Sequence, residues 1–321
     1  LTPVQSFGGN KTIYAHLRLI FEGPFRSYKD FIYDLTMDPS MLEYLNLRLS
    51  RKETPDENYA REVQELFTVG KRPFSRYTEG DVQAAARLLV GWDFDWEKSI
   101  YGEGWKQTPR FNPNNHDTGD KQFSEFYGNK VIPGREGEAG AEELSDFLDM
   151  IFDTQEVSIY LARRLFQFFA YPVLSDYIEQ NIILPLSEVL RENNFNLSEG
   201  LKVLLRSEYF YAPELANALL KGPFDFAMNL HKEFDILNGD LISHNREENR
   251  QYLSFFPEEQ SYFDSKYNDH GYRAFRIFRH FGGHYNNQGM EVLNPPSVSG
   301  WKAYYQEPVY DFFCLNSVTI K

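Results

Sequence analysis

The sequence predicts a mainly α protein, an irregular multi-helix bundle with a small β-hairpin and loop insertion. Three observations carry that reading. Apolar residues recur at helical spacing through most of the chain. Capping residues such as Ser27, Thr54, Thr78 and Thr154 stand just ahead of those runs. Alternation of aromatic and polar residues around glycine is confined to about 92–135. The 321 residues read as a single helical domain, 1–321, with that insertion and a polar, loop-rich segment at about 239–290.

The elements follow in order. Over 11–22, Ile13, His16, Leu17, Ile20 and Phe21 share a helical face, and His16 there reads as a satisfied core histidine. Ser27 and Asp30 frame the next start, with Phe31, Ile32, Leu35 and Met37 continuing to Pro39; Ser40 then caps the short helix MLEYLNLRL. The stretch TPDENYAREVQELFTVG, Thr54 to Gly70, has Thr54 as N-cap, Pro55 in the first turn, Glu57 at capping-box spacing and Gly70 as the stop. At roughly 100° per residue, Tyr59, Val63, Leu66 and Phe67 form its apolar stripe, with Asn58, Glu62 and Glu65 along the edge and Arg61 further out.

Thr78 and Asp81 cap a helix running through Ala84, Ala85, Leu88 and Leu89 to Gly91. Trp92 opens the insertion, which is the stretch best suited to line a site. Helical periodicity returns at 139–153 and at 155–170, where Val157, Tyr160, Leu161, Leu165 and Phe168 form the buried stripe and Arg164 lies within it. An arginine so placed calls for a fixed carboxylate or carbonyl, and Glu62 or Glu65 would serve. Helical pieces follow at about 174–192, 197–207 and 223–237, and Trp301 lies in an extended segment after Pro295-Pro296.

Composition removes several classes of function. A net charge of −14 lacks the clustered cations that nucleic acid requires. No apolar run reaches the roughly 18 residues of a membrane helix, so the chain does not read as an integral membrane protein. The lone Cys314 excludes an internal disulfide and is a weak nucleophile candidate. His280 and His284 are separated by Gly282 and Gly283, which suits a turn better than a metal pair.

Two clusters of functional groups stand out. Glu62 and Glu65, one turn apart at a core boundary, are either members of an ion network with Glu57 and Arg61 or two carboxylates of an acid/base or metal site. His116 and Asp117, in the loop HDTGDK, either make a local turn or complete an O/N shell for a divalent cation such as calcium or zinc. The oxygen-rich run Asn112, Asn114, Asn115, Asp117 and Asp120 has calcium-loop composition without EF-hand spacing. Binding candidates are Asn58, Arg61, Arg164, Trp92 and Trp301.

DPSMLEYLNLRLSRKETPDENYAREVQELFTVG, YTEGDVQAAARLLVGW, NNHDTGDKQF, LARRLFQFF and NPPSVSGW, in that order and spacing, resemble the bacterial family called domain of unknown function 1800, over roughly residues 10–305. The resemblance implies an exported protein of the periplasm, outer surface or extracellular space, and a partner protein with a sulfatase-like fold. The family's N-terminal helical region, with its histidines, has no counterpart before Leu1, so a site needing them is incomplete here; the chain looks like the C-terminal two-thirds or so. Asp56 stands where the family favours asparagine, and the 239–290 stretch lies outside its pattern.

Two function classes remain. One is a non-catalytic envelope or surface component that binds a protein partner or a surface glycan. The other is a hydrolase built from Glu62, Glu65, His116 and Asp117, with or without a divalent cation, in which Arg61 or Arg164 steers an anionic substrate. In the first class Glu62 belongs to a network, and its removal destabilises the fold.

Overall fold

Local side-chain caps explain four of the helix starts in the computed structural model, which describes residues 10–71, 75–94 and 109–215 and a few single positions between 219 and 233; Thr154 stands at the N-cap of its helix but makes no side-chain cap bond. The chain divides into two units, Leu1–Ala218 and Leu219–Lys321, and nearly all described residues belong to the first. The expectations at 95–108, most of 223–237, 239–290, His280, His284, Trp301 and Cys314 lie outside the described residues.

The first unit is mainly helical. Helix α1 spans Asn10–Glu22 and α2 spans Tyr28–Thr36, where Ser27 accepts the Asp30 N–H as predicted. Helix α3 spans Pro39–Tyr44, and Asp38, not Ser40, is its N-cap: the Asp38 carboxylate takes the Ser40 and Met41 N–H groups. With Pro39 in the first turn, the residue ahead of it is held extended, which is the N-cap conformation.

At the next start a proline does not place the cap, because a backbone bridge competes. Thr54 precedes Pro55 and is held in an antiparallel bridge to Arg51, so helix α4 begins four residues later, at Asn58, and ends at Glu62. Asp56 Oδ1 receives the Asn58 N–H at 2.8 Å in place of the expected capping box. The chain then continues as a π-helix over Val63–Thr68 and stops at Gly70, whose φ of +82° suits glycine.

The wider turn changes the buried face. Tyr59 and Val63 are buried as expected, but Gln64 and Thr68 join them while Leu66 and Phe67 are only half-buried. Each polar group is matched: Gln64 donates to the Ala60 carbonyl and accepts from Tyr127, and Thr68 donates to the Val63 carbonyl. The Leu66 and Phe67 carbonyls accept the hydroxyls of Tyr160 and Tyr28. Tyrosines from two other helices thus satisfy the backbone groups that a terminating helix exposes.

Helix α5, Glu79–Leu89, has the complete Thr78/Asp81 capping box. Gly91 turns the chain into β1, Trp92–Phe94, which pairs antiparallel with β2, Pro109–Phe111; β3, Lys121–Gln122, pairs with β4, Val131–Ile132. Helices α6, Glu143–Asp153, and α7, Gln155–Phe169, follow. Next come Asp176–Ile178, a π-helical turn Glu179–Ile183, helix α8, Leu184–Glu192, and helix α9, Leu197–Arg206. Helix α6 packs against α2 and α5, and α8 packs against α7 and α9.

Two apolar assignments are corrected. Phe21 is 80% exposed and Phe168 50% exposed, whereas Phe166 is fully buried and takes the inward position expected of Phe168. His16 is buried and its Nδ1 meets Asp38 Oδ2 at 2.9 Å, so it is a core histidine, but it is only half satisfied, since among the described residues its Nε2 has no partner. Among the described residues, no helix is long and apolar enough to cross a membrane.

Asp81 does more than cap α5, because its carboxylate also takes the backbone N–H and hydroxyl of Ser124 and so anchors the insertion. Asp81→Ala is expected to lower stability by about 2–4 kcal/mol, the loss of a cap plus two bonds to a charged acceptor, measured by urea unfolding.

Candidate functional site

The insertion is held to the helical core by a fully buried ionic cluster that sequence reading found only in part. His116 follows a short 3-10 turn, Pro113–Asn115, that Asn112 caps by accepting the Asn114 N–H. Its ring is directed inward: Nδ1 meets the Val90 carbonyl at 2.8 Å and Nε2 meets Glu143 Oε1 at 3.0 Å. Glu143 opens α6 and also receives the Arg135 N–H at 2.7 Å and Lys121 Nζ at 2.6 Å. The His116, Lys121 and Glu143 side chains are all 0% exposed. Lys121 Nζ also donates to the Asp117 carbonyl.

Burial by itself pushes the Glu143 carboxyl up, but the donors from His116, Lys121 and the Arg135 backbone outweigh it and hold the group below the usual range. Asp117 behaves alike. Burial raises it, while a bidentate bond from Arg87, at 2.7 and 3.1 Å, and the Gly119 N–H bring it down. Gly140 completes the site sterically, since a Cβ there would stand 2.7 Å from the His116 ring.

Glu62 and Glu65 lie in a separate cluster. Glu65 bonds Lys71 at 2.8 Å and the Tyr77 hydroxyl at 3.0 Å. Arg61 bonds Glu57 at i,i+4 spacing as expected and, bidentately, Glu79 at 2.7 and 2.9 Å, while an Arg61–Glu65 pair at the same spacing does not form where the helix widens. Glu62 has one carboxylate oxygen that is buried and without a hydrogen bond. Burial raises its pKa first and the charge of Glu65 second, with Lys71 and Arg61 offsetting only part. Arg164 acts on the phenol of Tyr28, while the cations bearing on Glu62 are Lys71 and Arg61.

The structure therefore leaves Glu62 with Glu65 and His116 with Asp117, and among the described residues these two pairs have no partner in common. Both His116 ring nitrogens are committed to acceptors. Asp120 Oδ1 accepts the Gly134 N–H, and Asn115 bridges to Ser50 and Lys52, so the oxygen-rich run ties loops to one another. Among the described residues, no three His, Cys, Asp or Glu side chains are grouped to hold a metal ion. Asn58 sits behind the Asp56 cap, and Trp92 packs edge-on against Phe111 with ring centroids 5.0 Å apart.

Two open depressions flank this insertion. One, of about 280 Å³, is lined by Arg48, Arg51, Gly91, Trp92, Asp93, Asn112, Asn114 and Asn115. The other, about 520 Å³, adjoins it at Asn114 and is lined also by Lys52, Glu53, Pro113, His116, Asp117 and Thr118. Sequence reading noted the asparagines and Trp92 but passed over Arg51 and Lys52; the signal was the basic run Arg48, Arg51, Lys52 in an otherwise acidic chain.

Removing one partner of the buried cluster should be costly. Glu143→Gln leaves Lys121 without its counter-ion and is expected to lose about 3–5 kcal/mol in urea unfolding. Glu62→Gln should do the opposite, which corrects the expectation that Glu62 is a network member whose removal destabilises the fold. Its folded pKa is raised, so the ionised form is a cost present above that folded pKa and relieved as pH falls toward the unfolded value, about 4.3. A gain of a few degrees in Tm at pH 7, absent near pH 4, is expected by calorimetry. The depressed Glu143 and Asp117 contribute stability above the unfolded carboxylate range that is lost as pH falls through their folded pKa values.

The comparisons with known proteins come to one finding. A family model described as Protein of unknown function (DUF1800) matches residues 6–309. No curated protein and no solved structure matches the chain. With the match spanning nearly all of the sequence, the chain belongs to the family described as Protein of unknown function (DUF1800).

Proposed function

We propose that this protein is a non-catalytic binding component of the bacterial envelope or cell surface, in which a helical core presents the polar depressions beside the insertion to a partner. The observation that carries the reading is the engagement of His116: both ring nitrogens are tied to Val90 and Glu143, leaving neither for a metal or a substrate proton. Asp117 is closed against Arg87 and Glu65 against Lys71, so those carboxylates act as ties between segments. The exported setting, and a partner protein of sulfatase-like fold or a surface glycan as the bound species, rest on family resemblance and on the polar character of the surface.

A second reading has one observation in its favour. Glu62 combines an unpaired buried oxygen and a raised pKa with a neighbouring carboxylate at the start of a π-helix, a backbone feature frequent at functional sites. In that reading Glu62 and Glu65 form a hydrolytic pair without His116 and Asp117.

Incubating the protein with surface polysaccharides and model esters separates the two. The binding reading expects retention in co-sedimentation, no released reducing ends or acids over hours, and unchanged retention for Glu62→Gln. Product release by the wild-type protein that Glu62→Gln abolishes would establish the hydrolase instead.

A further inference from the structure

We propose that the two depressions meeting at Asn114 form one track for an acidic oligosaccharide, with Arg51 receiving the carboxylate of one sugar and Lys52 that of the next. The inference rests on the binding role proposed above and names its ligand class. Arg51 is exposed, and its Nη1 donates to the Arg48 and Ser50 carbonyls at 3.2 and 3.0 Å. Among the described residues no carboxylate neutralises it. A guanidinium anchored by carbonyls keeps its charge, and its remaining donors form the fork that a carboxylate accepts. Arg48 differs: it is paired with Glu43 at 2.6 Å and lies over the Phe94 ring. Lys52 repeats the Arg51 arrangement in the adjoining depression, with Nζ donating to the Asn114 carbonyl at 2.9 Å.

The remaining groups suit sugar hydroxyls. Asp93 spends one oxygen on the Phe94 N–H at 2.8 Å, and Asn112 spends its oxygen on the Asn114 N–H at 3.1 Å. This leaves an acceptor from Asp93 and an amide donor from Asn112 at the lining, the pairing that adjacent hydroxyls need. Asn115 is fixed by bonds to Ser50 and Lys52, so it holds the two walls in register. A polyphosphate backbone fits poorly, because it carries charge at every unit at close spacing and needs more cations than Arg51 and Lys52 supply.

Isothermal titration with uronate oligomers (oligogalacturonate, oligoalginate and hyaluronan fragments) tests the track, with maltotetraose and an oligoglutamate peptide as controls. Binding of at least one uronate oligomer is expected, with no uptake of either control. Arg51→Gln should weaken it about tenfold or more, a loss of one charge-assisted bidentate contact, and Lys52→Gln severalfold. Circular dichroism should show both variants folded, since both side chains are exposed. The inference is overturned if no uronate oligomer binds, if Arg51→Gln binds as tightly, or if maltotetraose or the peptide binds equally well. These outcomes leave the non-catalytic reading intact. Chromatography of the titrated oligomers addresses that reading separately, because shortened products would overturn it whatever the affinities.

Discussion

The burial of the Glu143 carboxylate beneath the insertion is the constraint on which the rest of the first unit depends. A charge at that depth is tolerated only with opposite charge and a full set of donors. His116, Lys121 and the Arg135 backbone supply them from three points of one connection, while Glu143 belongs to the helix that packs on α2 and α5. The insertion and the core are therefore specified by the same side chains. The Arg87–Asp117 pair and the bonds of Asp81 to Ser124 extend that tie along α5. The described part of the insertion after residue 108 is thus held to the core in three places despite its scarcity of regular structure.

The π-helix at Val63–Thr68 shows how local winding redistributes polar groups. A five-residue turn places Gln64 and Thr68 in the core and carries Glu65 toward Lys71 and Tyr77. Glu62 is left at the junction with one oxygen unsatisfied. Tyr28 and Tyr160 bond the carbonyls at the end of the segment, so the unusual winding is supported from outside the helix. The acids that look alike in sequence thus fall into two kinds. Glu65, Asp117 and Glu143 are stabilised by partners, whereas Glu62 is carried as a cost.

Much of the fold was legible in the sequence because its signals are local. The capping box of Thr78 and Asp81, the Ser27 cap, the stop at Gly70 and the polar insertion after Gly91 all depend on residues a few positions apart. Where local rules compete, the reading slipped. Proline at 39 moved the cap from Ser40 to Asp38, the bridge of Thr54 to Arg51 left the Asn58 N–H to Asp56 in place of a Thr54 capping box, and the apolar stripes missed the inward turn of Phe166. The candidate site was legible by residue type but not by grouping: His116, Asp117, Glu62 and Glu65 were visible, while the partners that decide their roles were not.

The sequence alone determined the class of the protein, its helix starts where one cap stood unopposed, and the family to which it belongs, because periodicity, caps and ordered motifs are carried by neighbouring residues. Only the tertiary structure decided which acids are neutralised, that His116 and Lys121 both meet Glu143, and that Arg51 bonds carbonyls and, among the described residues, no carboxylate. Compensation of a buried charge is a property of distance in space, and residues 22 and 27 positions apart, like Lys121 and His116 from Glu143, meet only once the core has closed around them.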